Sequence, residues 1–448
     1  MRPRVGAAML AWAGLLAVGA AGHTAAASDG QATRRLRLRD ALEIARQRHV
    51  QVIVGSERVQ QAIARLHQAQ SVLWPHVSTS ASESRQTKNL EAMGISLPGR
   101  NPFVGPFNSF DARLALTQTL FDVAAIQRLR SAKSGAARSL AESRKAKQDA
   151  LALVASLYLE AVRAMDAIEL ADALRQRGEA RLRLARTRLN LGLASPLEVA
   201  QAQAQWAESR RQWSTAFSQA EQRRLDLAAA LGLRPAEALV LELDETVVAW
   251  PLPGDQAILA AMPAHPDVAV AQELVRERAA ERAAEMADVL PRVAASGDYG
   301  ASGKDPSEFE QTYTFGVKVS MPVFEGGLRA AKMHEASSRL RESEARLDEA
   351  RSQVEVEALG ARQAIVQAWA AVEAVEAEVA ASSRRLTLAR QRLQAGIGSE
   401  LDVIEARAQA ALARDHHQDA LATYRLAEVN VMHALGRVDA LLEQDGGG

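Results

Sequence analysis

The sequence predicts a mainly α-helical, internally duplicated fold in which very long helices continue into membrane β-strands. Three observations support this prediction. Long windows of the chain lack proline, at 107–195, 197–234 and 323–448; apolar residues recur at heptad spacing inside the first and the last of them; and two strand-like segments precede each of the two long helices. A helix that fills most of the first window would be roughly 100 Å long, far more than a compact enzyme needs.

Alanine supplies much of the 48% hydrophobic content, whereas aromatic residues make up only 4%. Such a chain packs helices closely along Ala and Leu seams and does not build thick aromatic cores. The 54 Lys and Arg residues equal the 54 Asp and Glu residues, so no net positive field would recruit nucleic acid. The absence of cysteine excludes disulfides, thiolate catalysis, Cys-ligated metal and a lipid anchor on an N-terminal cysteine.

The N-terminus has the pattern of a secretory signal peptide. Arg2 and Arg4 precede an apolar run over 5–22, and a small-residue site ends at Ala27, so cleavage is expected between Ala27 and Ser28. A retained membrane anchor is the alternative, but the run is short and broken by glycine. No later segment approaches 18 uninterrupted apolar residues, so the exported chain would enter a membrane as strands.

The chain aligns with itself as two copies of one unit. His49 matches His265 at an offset of 216, and the segment 188–195 matches 392–399 at an offset of 204. At the strand–helix junction, where Leu120-Phe121-Asp122 matches Val323-Phe324-Glu325, the offset is 203. The change from 216 to 203 leaves 13 extra residues in copy one, which we assign to an enlarged loop.

The predicted organisation follows from these offsets. It comprises a signal peptide (1–27), a first repeat (28–234), a linker (235–255) that the resemblance described below implies is periplasmic, a second repeat (256–436) and a short C-terminal tail (437–448). The first repeat should contain a helix, two strands around a loop at 85–109, a long helix at 123–191, a tip turn at 192–195 and a helix at 196–231. The second should contain strands at 293–299 and 312–322, a long helix at 326–394, a tip turn at 396–399 and a helix at 400–435.

The clearest strand candidates lie at 110–120 and 312–322, where apolar and polar residues alternate over 11 residues. That length suffices for a tilted strand to cross a bilayer. An ordinary half-buried antiparallel sheet has the same alternation, but the export signal and the aromatic residues at the strand ends favour a membrane. Four strands cannot close a barrel, so several chains must pool their strands, and the count alone does not decide between eight and twelve.

These residues resemble the TolC-like outer-membrane efflux channel family. The resemblance extends from Leu38 to Gly436 and rests on the duplication, the strand–helix junctions, and the two Arg-x-x-x-Gly-x-x-Ser turns. It implies a homotrimer with a 12-stranded β-barrel in outer-membrane lipid, continued by an α-helical barrel across the periplasm. The implied function is a passive exit channel that works with a periplasmic adaptor and an inner-membrane pump of the RND or ABC type.

Within that function we expect small-molecule efflux, with type I protein secretion as the alternative and a soluble periplasmic coiled-coil scaffold as a remoter one. Neither an enzyme activity nor a cofactor is expected. Gly303-Lys304 lacks the glycine and the Ser or Thr of a phosphate loop. The run Asp415-His416-His417 is most simply a solvated helix face, so no metal site is predicted.

Each tip turn has the pattern of a tight helical hairpin. Gly192 suits the left-handed residue that ends a helix, and Ser195 suits the N-cap of the next, with Glu198 completing a capping box. In copy two the corresponding residues are Gly396, Ser399 and Asp402. The resemblance implies that the turns contact the adaptor through Gly192, Leu193, Ser195, Gly396, Ile397 and Ser399.

The resemblance also implies that Asp402 and Glu405 form an acidic ring at the tunnel entrance. The two residues are i, i+3 neighbours on one helix face. For Asp402 the alternative is capping alone, whereas Glu405 lies beyond the capping box. Where the family has a locking arginine and a tyrosine, this chain has Gly398 and Leu393, so we expect a different closing contact.

Overall fold

The computed structural model describes residues 34–94, 102–234, 239–242, 254, 256 and 262–444, so the predicted signal peptide and its cleavage site at Ala27 and Ser28 lie outside the described residues. The strands are β1 (Arg34–Arg37), β2 (His76–Asn89), β3 (Phe103–Phe121), β4 (Leu239–Glu242), β5 (Arg292–Asp305) and β6 (Glu308–Ser320). The helices are α1 (Leu38–Arg48), α2 (Val50–Ser71), α3 (Val123–Asn190), α4 (Pro196–Ala230), α5 (Pro266–Ala287), α6 (Leu328–Gln394), α7 (Glu400–Ala434) and α8 (Leu441–Gln444).

The helices form a layer that is built on the two long helices α3 and α6. Near the sheet the order across the layer is α2, α3, α5, α6, and towards the hairpin tips it is α4, α3, α7, α6. α3 therefore has a neighbour on each side along its whole length, whereas α6 has neighbours on one side. None of the described helices is both long and apolar enough to cross a membrane.

Local capping explains where the helices begin. Asp122 Oδ1 accepts a hydrogen bond of 2.9 Å from Ala125 N at the start of α3. His49 and His265, which match in the duplication, cap α2 and α5 in the same way, each accepting at Nδ1 a 3.3 Å hydrogen bond from the backbone N–H two residues later. The same residue type thus caps the corresponding helix in both copies.

The main core lies where α1, α3, the end of α4 and the C-terminal segment meet, between the sheet and the tips. Tyr158 on α3 is fully buried there, with its hydroxyl 2.9 Å from Leu36 O and 2.6 Å from Glu242 O. These contacts connect α3 to β1 and β4, which pair in parallel. Burial raises the pKa of Tyr158 to about 12.

Several boundaries differ from the sequence prediction. In the second repeat the strands predicted at 293–299 and 312–322 extend over Arg292–Asp305 and Glu308–Ser320. The strands extend into the loop predicted at 85–109, because β2 continues to Asn89 and β3 begins at Phe103. Part of the predicted linker 235–255 is strand β4, whose Leu239 is buried. The predicted tail at 437–448 contains Val438, which is fully buried and donates its N–H to Gln148 Oε1 at 2.6 Å. The differences at β4 and Val438 depend on partners far away in the sequence, which local sequence does not show.

The four long strands form an antiparallel sheet in the order β2-β3-β5-β6. The register places Leu114 opposite both Thr79 and Tyr299, and Tyr299 opposite Tyr313. Residues directly opposite each other share a face, so the apolar positions predicted from both copies lie on one face of the sheet. Tyr313 and Phe315 are 80% and 77% exposed in the isolated chain, so this face is uncovered.

Candidate functional site

The tips of the two helical hairpins have the same backbone geometry. Gly192 and Gly396 both adopt φ of 73°, the left-handed conformation that glycine allows without a steric penalty. Leu193 N donates to Arg188 O at 2.8 Å, and Ile397 N donates to Arg392 O at 3.1 Å, each completing a Schellman motif. The predicted turns are therefore present in both copies.

Capping boxes start the returning helices. Ser195 and Glu198 exchange backbone-to-side-chain hydrogen bonds of 3.3 Å in each direction. In copy two Asp402 N donates to Ser399 Oγ at 3.1 Å, and Ser399 N donates to Asp402 Oδ2 at 2.9 Å. The hydrogen bonds that the Asp402 carboxylate accepts from the backbone and the side chain of Ser399 lower its pKa below the usual value of 3.8. Asp402 is therefore ionised and engaged in capping.

The tips expose apolar side chains to solvent. Leu193 and Ile397, which were predicted as contact residues, are 70% and 72% exposed. Leu191 and Leu197 flank the first turn and are similarly exposed, although the sequence analysis did not single them out. The sequence could have indicated these two residues, since large apolar side chains next to a turn between charged helices are expected to be exposed.

Glu405 has a partner that the sequence analysis missed. Its Oε1 accepts hydrogen bonds from Arg181 Nη2 at 2.8 Å and from Arg181 Nε at 3.1 Å, across the contact between α3 and α7. The structure thus places Asp402 and Glu405 one turn apart at the tip, and the Arg181 guanidinium binds the carboxylate of Glu405. The sequence contains no signal for this pair, because Arg181 and Glu405 lie 224 residues apart and the residue of copy one that matches Glu405 is Gln201.

Two further ion pairs join α3 and α7 above the tip. Arg414 Nη1 lies 3.1 Å from Glu169 Oε1, and Arg163 pairs with Asp419. Nearby, His416 Nδ1 lies 3.3 Å from Glu378 Oε2, so the Asp415-His416-His417 run contributes to helix packing. Within the part of the chain that the structure describes, no group of acidic and histidine side chains could hold a metal ion.

The second face of the sheet is polar and carries one charged cluster. Arg113 Nε lies 2.8 and 2.9 Å from the two carboxylate oxygens of Asp111, and Arg113 Nη1 lies 2.5 Å from Asp298 Oδ1. Gly300 stands directly opposite Arg113, and a Cβ added there would clash with Ala112 O and lie 2.8 Å from Arg113 Cγ. The glycine therefore allows the backbones of β3 and β5 to approach closely and also leaves room for the arginine between two aspartates.

This geometry combines an apolar face, a polar face and two exposed helical tips in one chain. The sequence matches the family described as "Outer membrane efflux protein" over residues 41–233 and 258–437. BepC, an outer membrane efflux protein of Brucella suis biovar 1, is 29% identical over 311 residues, which are 64% of this chain and 64% of BepC. The chain thus spans slightly less than two thirds of BepC in that match.

Two other relatives and one solved structure are also similar. The pyoverdine export outer membrane protein OpmQ of Pseudomonas putida is 25% identical over 88% of this chain and 84% of its own. The alkaline protease secretion protein AprF of Pseudomonas aeruginosa is 26% identical over 67% of this chain and 64% of its own. The Campylobacter jejuni CmeC outer membrane channel superposes with a TM-score of 0.78 at 18% identity, over 92% of this chain and 89% of CmeC.

Proposed function

Because this chain belongs to the outer membrane efflux protein family, we propose that it is the passive exit channel of a tripartite exporter. It conducts small molecules that an inner-membrane pump, of the RND or ABC type, delivers through a periplasmic adaptor. The observation that carries this proposal is the direct continuation of a sheet with one apolar and one polar face into helices roughly 100 Å long.

The edges of the chain support assembly into a ring. β2 and β6 are the outer strands of the sheet, and open edges in lipid would leave backbone N–H and C=O groups unsatisfied. β6 and α6 lie at one edge of the chain, whereas β2, α2 and α4 lie at the other. Head-to-tail contact between such edges closes a ring, and three chains give the 12-stranded barrel of a homotrimer in outer-membrane lipid.

The hairpin tips are the proposed contact with the adaptor. Leu193 and Ile397 protrude at the end of a rigid turn, which suits insertion into an apolar groove of a partner. The positive φ of Gly192 and Gly396 fixes the direction in which these two side chains point. Tip and sheet lie at opposite ends of the long helices, as a periplasm-spanning duct requires.

A complementation experiment tests the proposal. A strain that lacks its own channels of this family should regain export of a fluorescent dye when this chain is expressed with a compatible adaptor and pump. Expression without the pump should leave the dye inside the cell, because the channel supplies no energy. Export that is independent of adaptor and pump would contradict the proposal and indicate a general pore.

The similarity to AprF favours a second candidate, the outer-membrane channel of type I protein secretion. A channel of this kind would release a protein substrate from an ABC exporter and not a small molecule. Co-expression with such an exporter, its adaptor and its protein substrate distinguishes the two candidates. Secretion of the protein without dye export would replace the first proposal with the second.

Asp402 and Glu405 are proposed to make the tunnel entrance selective for cations. In a trimer they place six carboxylates around one opening, and a negative potential there attracts cations and binds polyvalent ones. The ion pair of Glu405 with Arg181 reduces its share of that potential. We therefore expect Asp402→Ala to lower cation selectivity more than Glu405→Ala, and Arg181→Ala to raise it.

Planar bilayer recordings test this arrangement of charges. The double variant Asp402→Ala/Glu405→Ala should lose part of its cation selectivity and its block by a trivalent cation, with a smaller difference at high salt. Glu400→Ala removes a carboxylate from the same helix start and provides the matched control, with little expected change. Unchanged selectivity in a folded double variant would remove both residues from the channel's selective elements.

A further inference from the structure

The duplication predicts one contact that a single chain cannot make. Within the chain, α3 of copy one packs against α7 of copy two, and Glu169 on α3 binds Arg414 on α7 at 3.1 Å. In a closed ring, α6 of copy two would pack in the same way against α4 of the next chain, because the order of helices is α4, α3, α7, α6. The contact between α3 and α7 within a chain therefore predicts the geometry of the contact between α6 of one chain and α4 of the next.

Both residues of the Glu169–Arg414 pair recur at the offset of 204. Glu169 matches Glu373 on α6, and Arg414 matches Arg210 on α4. The neighbouring residues match as well, and identical pairs at the same offset are Val162 and Val366, Ala164 and Ala368, Ala167 and Ala371, Ala173 and Ala377, Ala207 and Ala411, and Ala216 and Ala420. The matching is therefore in register on all four helices.

In the isolated chain Glu373 and Arg210 lie at opposite edges of the helical layer. Both residues are exposed. Glu373 Oε1 accepts a 3.0 Å hydrogen bond from Trp369 Nε1, and the Arg210 guanidinium lies 6.0 Å from the centre of the Trp206 ring. Neither residue forms an ion pair with another described residue. Each charge is thus held in place on an edge where the chain itself supplies no counter-charge.

We propose that Glu373 of one subunit binds Arg210 of the next, repeating the Glu169–Arg414 contact at the subunit boundary. The partner is a second copy of this chain, and the inference rests on the trimer of the proposed function. The internal match of helix order, residue type and register supports this partner, because the Glu169–Arg414 pair already shows that this packing brings the two groups together.

The other three ion pairs between α3 and α7 do not recur. Arg181 and Glu405 match Arg385 and Gln201, which cannot form an ion pair. Arg163 and Asp419 match Gln367 and Thr215, and Asp149 and His433 match Gln353 and Ala229, which all lack charge. Of the four ion pairs, the proposed subunit boundary therefore keeps the one formed by Glu373 and Arg210.

Chemical crosslinking tests the contact directly, because the natural chain contains no cysteine. The partners are long side chains whose Cα atoms need not lie within the roughly 7 Å that a disulfide requires, so a short bismaleimide is the suitable reagent. The variant Glu373→Cys/Arg210→Cys, in membranes, should give covalent dimers and trimers on a denaturing gel. The matched control Glu169→Cys/Arg414→Cys should stay at the monomer position, since its pair lies within one chain.

The outcomes separate this inference from the proposed function. If the double-cysteine variant assembles as a trimer but gives no covalent multimers, the Glu373–Arg210 contact is wrong and the trimer stands. If the wild-type chain itself forms no trimer, the proposed assembly fails and this contact with it.

Charge exchange provides a second measurement in case cysteine substitution prevents assembly. Glu373→Arg and Arg210→Glu each place like charges at the boundary, so each should lower the fraction of trimer in detergent, most strongly at low salt. The combined variant restores opposite charges and should recover the trimer to near the wild-type fraction. Failure to recover, with both single variants impaired, would overturn the inference.

Discussion

The two long helices have the same origin and nearly the same length, yet they pack differently. α3 has 68 residues, of which 18 are buried, whereas α6 has 67 residues, of which 7 are buried. α3 lies inside the layer with neighbours on both sides, and α6 lies at its edge. The difference agrees with the proposed ring of subunits, in which an edge helix keeps one apolar seam and offers the rest of its surface to another chain.

The largest expected effect separates these two helices. Leu151 on α3 is fully buried, so Leu151→Ala should lower the free energy of unfolding by about 2–5 kcal/mol. Val356 on α6 is 68% exposed, so Val356→Ala should change the stability of the folded chain by less than about 0.5 kcal/mol and act mainly on trimer content. Denaturant unfolding followed by far-UV circular dichroism measures the first, and native gels measure the second. Equal losses of stability would contradict the assignment of α6 to the boundary.

The sheet should not show this difference between copies. Leu114 in copy one and Val317 in copy two lie on the same apolar face, so arginine at either position should oppose insertion by roughly 2–4 kcal/mol. Ala115 points to the polar face, so Ala115→Arg should be tolerated. The measurement is the fraction of chain found as trimer in the outer membrane. Similar tolerance at all three positions would argue against a membrane barrel.

The tips should also respond alike in both copies, with a smaller effect on stability. Gly192→Ala and Gly396→Ala should each cost about 1–2 kcal/mol, because both positions need a positive φ. A Cβ would meet no atom within 4 Å at either site, so backbone conformation alone is responsible. β-branched residues there should abolish export and leave the trimer intact.

Gly360 in the middle of α6 is the matched control for the tip glycines. It also has no atom within 4 Å of an added Cβ, and it lies inside a regular helix. Gly360→Ala should therefore stabilise the protein by up to about 1 kcal/mol. Loss of the folded trimer on substitution of Gly192 or Gly396 would show that these glycines serve the fold and not docking.

The smallest effect concerns a pH-dependent contact between α3 and α7. His433 Nε2 lies 2.8 Å from Asp149 Oδ1, and this hydrogen bond raises the pKa of His433 despite partial burial. A raised histidine pKa stabilises the fold fully below the unfolded value of about 6.5, and the contribution disappears as pH rises through the folded pKa. The same hydrogen bond lowers the pKa of Asp149, so its contribution disappears only well into the acid range, below 3.8.

His433→Gln tests this contact. The difference in Tm between wild type and variant should be largest near pH 5–6 and shrink towards pH 9. The corresponding difference in the free energy of unfolding should stay below about 1 kcal/mol, because both groups are partly exposed. Burial and, to a smaller extent, the charge of His433 lower the pKa of the neighbouring His265, so His265 opposes stability at acid pH in both proteins and the variant relieves a small part of that opposition. A difference in Tm that is independent of pH would contradict the ion pair.

The features that the sequence predicted correctly are local ones. Gly192 and Gly396, with their N-caps three residues later, determine each turn through contacts within eight residues, so the hydrogen bonds could be predicted from spacing. Strand faces followed from alternation, and the register confirms that both copies share a face. Helix lengths followed from the distribution of proline.

The features that the sequence did not predict depend on distant partners. Glu405 and Arg181 are 224 residues apart, and nothing near Glu405 indicates that its charge is paired. Strand β4 has four residues and exists because β1, about two hundred residues earlier, pairs with it. The duplication predicted which positions correspond, but the order of helices across the layer was needed to show which of them meet.

The composition of β2 has a consequence for how the protein reaches its membrane. On the apolar face β2 contributes Val77, Thr79 and Ala81, where β6 contributes Tyr313, Phe315 and Val317. A lone chain would therefore gain little by transferring β2 into lipid, and it would leave an unpaired backbone edge there as well. In the proposed trimer a neighbouring β6 satisfies that edge, so membrane insertion and trimer formation would be a single event. A chain that has not yet met its partners would then stay in the periplasm, and no incomplete pore would form.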